Sequence, residues 1–116
     1  MNPSKPLHQI VTDWLFQSQF EDGEFTMFDL VYDEPELAWS AILQILTHDL
    51  SEMQTALLAA GPLESLLAMH GAQFIDRVEQ ESKQSERFNH LLGGVWQNQM
   101  PKHIWHRVEC ARKNVW

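Results

Sequence analysis

Apolar residues recur along this chain at helical spacing almost from its start. Leu7, Ile10, Val11, Trp14 and Leu15 mark one amphipathic face, which predicts a helix from Leu7 to about Gln19. Phe20 to Glu24 contains Asp22-Gly23 and reads as a loop. Phe25, Phe28, Val31 and Tyr32 predict a second helix, with Asp29 and Asp33 on its wet side. It stops before Pro35, because the residue ahead of a proline resists the helical region. Pro35 opens a third helix, with Glu34 and Glu36 near its positive end. Leu37, Ala38, Ala41, Ile42, Ile45 and Leu46 form its stripe. Trp39 and Leu43 widen that stripe, so this helix is expected to be central and contacted on two sides.

Ser51 and Gln54 match a capping box for a fourth helix, through Leu57 and Leu58 to Ala60. The stretch Leu57 to Gly71 then joins two apolar segments at Gly61-Pro62. Glycine is common just past a helix end and proline at a helix start. The expectation is that Gly61 closes one helix and Pro62 opens the next, which folds back sharply and runs to His70. Gly71 punctuates it in turn. Phe74, Ile75 and Val78 continue the pattern, as a new helix or past a kink, and its polar end turns near Lys83 to Ser85. A short helix from Ser85 to Leu92 stops at Gly93-Gly94, read as a stop signal and nothing more. Val95 and Trp96 are expected as one turn. Pro101 opens the last helix, with Ile104, Trp105 and Val108 as its apolar face.

No stretch sustains period-two alternation, so the predicted class is all-α. Residues 1–116 form a single domain of about six to eight short antiparallel helices, with residues 1–6 as a short polar lead. Stacked helix pairs in a short superhelix are the first expectation, an irregular bundle the second.

Composition narrows the function classes. No apolar run approaches the roughly 20 residues that a bilayer-spanning helix needs. MNPSKPLHQ lacks a basic region followed by an apolar block, so no signal peptide is expected. Cys110 is the single cysteine, which excludes an intramolecular disulfide and fits a cytoplasmic setting. Of the net charge of −8, residues 1–58 carry ten acids against Lys5, whereas residues 59–116 carry six acids against seven bases. An acidic half argues against nucleic acid as a partner and for a basic one. A monomer without cofactor or metal is expected.

Seven acids fall within residues 21–36 with no base among them. The ordinary reading is a solvated loop and helix face. A calcium loop is disfavoured, because the D-x-[DN]-x-[DN]-G order is absent. The sharper reading is an electrostatic docking patch for a basic protein, in which Asp22, Glu24, Asp29, Asp33, Glu34 and Glu36 make the contacts.

Other candidates are weaker. His103, His106 and Glu109 lie at three-residue spacing, which can place three ligands on one face, but a polar helix face explains them. His70 at a helix C-terminus is favoured by the dipole. Glu64 belongs to a first helical turn and can be imagined pairing with Arg107 or Arg77 in a groove. Cys110, placed on the apolar side of the last helix, has no positioned His and Asn/Asp motif and is a poor nucleophile candidate. Trp14, Trp39, Trp96 and Trp105 are expected in the core. Trp116 is expected at the surface, where it can anchor a partner.

PELAWSAIL (Pro35 to Leu43), AAGPLESLLAMHGAQFIDRVE (Ala59 to Glu79) and FNHLLGGVWQNQM (Phe88 to Met100), followed by Trp105 and Arg107, resemble one family. It is a family of small, all-helical, functionally uncharacterised bacterial proteins. Some of its relatives resemble immunity proteins of contact-dependent inhibition systems. The resemblance covers about two thirds of the chain, omits the first 34 residues and rests on helix stops and core aromatics. It implies a helical scaffold with a variable binding surface and offers no catalytic residue. Together with the charge asymmetry it leads to an expected function. The chain would be an immunity protein that occludes the active site of a cognate toxin domain, a basic nuclease. A helical adaptor without toxin linkage is the alternative, and an enzyme using Glu64, His70, His103, His106 and Arg107 is a third.

Overall fold

In the computed structural model, which describes residues 6–19 and 27–116, seven α-helices carry the chain. They are α1 (Leu7–Gln17), α2 (Met27–Asp33), α3 (Pro35–Leu46), α4 (Glu52–Leu58), α5 (Glu64–Gln84), α6 (Glu86–Leu92) and α7 (Lys102–Ala111). A π-type turn, Ala59–Leu63, joins α4 to α5. The fold is all-α, with no strand among the described residues. No helix among them is long and apolar enough to cross a membrane.

The wide apolar stripe of α3 does what its width predicts. Ala38, Trp39, Ala41, Ile42, Ile45 and Leu46 are all buried, and α1, α2 and α5 pack around them. The Trp39 ring meets Phe88 of α6 edge-on at 5.6 Å and Phe74 of α5 at 5.9 Å. Aromatic pairs of this geometry add about 0.5–1.5 kcal/mol beyond burial. The extents of 37 × 32 × 25 Å are those of helices closed around one core. The stacked superhelix therefore gives way to the irregular bundle.

The capping box forms as predicted. The Ser51 hydroxyl accepts from Gln54 N–H, and the Gln54 side chain accepts from Ser51 N–H. The same Gln54 amide donates to Leu15 O and to Ser18 Oγ, so one buried side chain starts α4 and ties it to the end of α1.

The expectation at Gly61-Pro62 is overturned. The chain does not fold back there. Leu58, Ala59, Leu63 and Glu64 all keep right-handed helical backbone, and no described glycine has positive φ. Pro62 has no N–H, and its ring would crowd the carbonyl one turn earlier in a regular α-helix. The wider π turn relieves that crowding: Glu64 N–H bonds to Ala59 O, five residues back.

The break assigned to Gly71 lies one residue earlier. His70 has non-helical backbone (φ −132°, ψ 30°) inside α5, and its Nε2–H donates to Val31 O of α2 at 3.0 Å. The kink is thus fixed by a side-chain bond to the neighbouring helix. Gly71 itself is buried against Ile104 of α7.

Beyond α6, Gly93, Gly94 and Val95 N–H groups each bond three residues back, a tightening last turn. Val95 and Trp96 do not form the expected turn of their own; they lie in an irregular connection to α7. Val95 and Met100 are buried, whereas Trp96 is 53% exposed and not a core residue. Trp14 and Trp39 are core, and Trp105 is half-buried beneath the Arg112 guanidinium.

Candidate functional site

Asp22 and Glu24 of the predicted acidic patch lie outside the described residues. The remaining four are exposed and close in sequence, where α2 hands over to α3. Asp29 is in the first turn of α2, where the dipole favours a carboxylate. Asp33 is the last residue of the same helix, where the dipole disfavours one. Neither forms an ion pair with a described residue. Glu34 is the one residue between the helices, with extended φ (−138°) that ends α2 and admits Pro35.

Glu36 differs from its neighbours. Arg77 of α5 clasps it bidentately, Nη1 to Oε2 at 2.5 Å and Nη2 to Oε1 at 2.8 Å. Those hydrogen bonds hold the Glu36 carboxyl below the usual carboxylate range and raise Arg77 in turn. The patch is therefore not wholly uncompensated: Glu36 pins α3 to α5 before any partner arrives.

Tyr32 belongs to this surface and not to the apolar stripe. It is 68% exposed, one residue before Asp33 and three after Asp29. Sequence reasoning misplaced it because Tyr32 adjoins Val31. Among the described side chains of α2 the buried ones are Met27 and Val31, four apart, and Tyr32 stands off the stripe they define.

The arginines are committed to contacts within the fold. Arg107 donates to Asp76 and Glu79 of α5, Arg87 to His48 O, and Arg112 to Val95 O. With Arg77 on Glu36, all four link separate parts of the fold. The bond from Arg107 holds Glu79 below the usual carboxylate range and pushes Arg107 up. From residue 6 to residue 76 the sequence has twelve acids and no Lys or Arg.

The imagined groove around Glu64 does not assemble. Glu64 is buried but accepts from Trp96 N–H at 2.8 Å and from Asn98 Nδ2, with Asn98 in left-handed backbone (φ 42°). Neither Arg77 nor Arg107 reaches it; each is committed elsewhere. His70 is occupied by Val31 O. His103, His106 and Glu109 are exposed on α7, and the described residues hold no group of three or more His, Cys, Asp or Glu placed to bind a metal. Cys110 is exposed rather than on an apolar face, with Sγ 3.7 Å from His106 Nε2.

The model of a family of unknown function, DUF6869, matches residues 17–115. That span includes the whole acidic run, so the run is not outside the family scaffold as the resemblance implied. No curated protein and no solved structure matches the chain.

Proposed function

The chain belongs to the DUF6869 family, and from its charge geometry we propose that it is a binding protein that neutralises a basic protein partner. In the finer form of this reading, it is an immunity protein that occludes the cationic cleft of a cognate toxin nuclease. The observation that carries the reading is the cluster of exposed carboxylates at the α2–α3 junction, Asp29, Asp33, Glu34 and Glu36, of which Asp29 and Asp33 form no ion pair with a described residue. Nucleases need a cationic cleft to hold phosphates. Carboxylates at the α2–α3 junction can occupy such a cleft in place of phosphate.

Two details support a surface kept for binding rather than stability. Asp33 stands at the C-terminal end of α2, where the dipole disfavours its charge, and forms no ion pair with a described residue. Tyr32 offers a large exposed ring among the acids, the residue type that anchors protein interfaces. Asp29, Asp33, Glu34 and Glu36 are the proposed contacts, with Asp22 and Glu24.

The test is co-production with the protein encoded by the adjacent open reading frame. Cells that arrest on producing that protein alone should grow when this chain is present, and D29N/D33N/E34Q should abolish the rescue while remaining folded. An adjacent product that is harmless, or full rescue by the triple variant, overturns the proposal.

A further inference from the structure

Gly93 and Gly94 do more than stop α6. Gly93 has φ −64° and ψ −17°, a conformation open to any residue, and no described glycine has positive φ. The backbone therefore does not demand glycine here. A Cβ on Gly93 would collide with Asn114 O and stand 2.9 Å from Trp116 Cδ1. Its three nearest neighbours all belong to the segment 112–116. A Cβ on Gly94 would stand 2.5 Å from Trp116 Cη2 and 2.6 Å from Cζ2. The two glycines form a seat shaped for the Trp116 indole.

The segment is held along its length by α6 and the turn after it. Lys113 N–H donates to Asn89 Oδ1 at 2.9 Å, and Trp116 N–H to Gly93 O at 3.2 Å. Trp116 Nε1–H donates to His90 O at 2.6 Å, and its ring stacks on the His90 imidazole at 5.2 Å and 17°. The outer side of the indole faces a groove of about 510 Å³, whose other walls are Leu50, Glu52, Thr55 and His90. That groove continues into one of about 350 Å³ over Leu46 and Arg87. Spaces of this size suit small ligands. The segment has no helical structure of its own, and Trp116 is 41% exposed. Few buried contacts and bonds near solvent mark a region that opens well below the global unfolding free energy.

We propose that residues 112–116 form a latch at the groove between α4 and α6, and that its release exposes a binding site for an indole-class aromatic ring. The ligand class follows from the occupant. The seat provides a flat floor of two glycines, an imidazole face to stack on and a carbonyl to accept an N–H, and Trp116 uses all three. A free ring of the same chemistry fits only when Trp116 has left.

The test uses the full chain as wild type, W116G and G93A, with indole as the probe and amide exchange and chemical shifts as readouts. W116G empties the seat and should bind indole about tenfold or more tighter than wild type, with shifts confined to residues near 90–95 and 50–55. G93A keeps the Trp116 ring but blocks its seat. It should speed exchange at Lys113 and Trp116 about tenfold or more, without gaining indole binding. Unchanged exchange of α3 amides confirms that both variants are folded. Equal indole affinity in W116G and wild type, or protected Lys113 and Trp116 amides in G93A, overturns the proposal.

Discussion

Ile104 of α7 occupies the space that a side chain on Gly71 of α5 would need. A Cβ at Gly71 would stand 2.9 Å from Ile104 Cγ2 and 3.0 Å from Cγ1. Alanine would gain about 1 kcal/mol of helix propensity over glycine. Overpacking a buried contact costs about 1–3 kcal/mol, and Ile104 is 2% exposed with a stiff branched side chain. G71A should therefore lower stability by about 1 kcal/mol in urea unfolding. In G71A/I104A the loss should be smaller than the sum of the two single losses, because the clash and the cavity cancel.

Asn89 gathers three elements through one buried amide. Its Nδ2 donates to Ser82 O and Ala111 O, and its Oδ1 accepts from Lys113 N–H. N89A leaves these backbone groups short of partners and should cost about 2 kcal/mol, read as a shift in urea midpoint. Exchange at Lys113 should rise by more than that global loss accounts for, because its acceptor is gone.

The pattern of apolar positions carried most of this fold. Pro35, the Ser51–Gln54 box and the wide stripe of α3 stand where their local chemistry put them. What escaped depends on partners distant in sequence. Gly61-Pro62 looks like a stop and a start, yet burial of Ala59, Pro62 and Leu63 favours a continuous path over two capped ends. Gly93-Gly94 is glycine because Trp116 returns to it, a contact invisible to local pattern. Of the candidate site, the acids were legible as composition. The pairing of Glu36 with Arg77, 41 residues away, and the exposure of Tyr32 were not.

Acid should weaken the α5–α7 link in a defined direction. Hydrogen bonds from Arg107 lower the Glu79 pKa in the folded state below the ordinary value of 4.5. That contribution is therefore complete above about pH 4.5 and disappears as pH falls through the folded value. Arg107 stays protonated throughout. The difference in urea midpoint between wild type and R107Q should be constant near neutrality and shrink below about pH 4.5. Salt should reduce it too, since Asp76 is 84% exposed.

Neutralising Asp33 should separate stability from binding. Removing a carboxylate from the negative end of α2 is expected to raise stability by about 0.3–1 kcal/mol, measured by urea unfolding of D33N. The same variant should associate more slowly with the basic partner, with a shallower salt dependence. Y32A should leave the unfolding midpoint within about 0.5 kcal/mol of wild type, as for other exposed positions, and act on dissociation instead.

The π turn at Ala59–Leu63 holds one residue more than an ordinary turn and hands both flanking helices on without disturbing their buried faces. Shortening the chain there by one residue, with Pro62 replaced by alanine, would leave regular α-helix from α4 into α5 as far as the His70 kink, with the same faces pointing inward as before. Elsewhere, the loss of one residue swings everything downstream by about 100° around the axis. This turn is thus the place along the helix from Glu52 to Gln84 where length itself is free to vary.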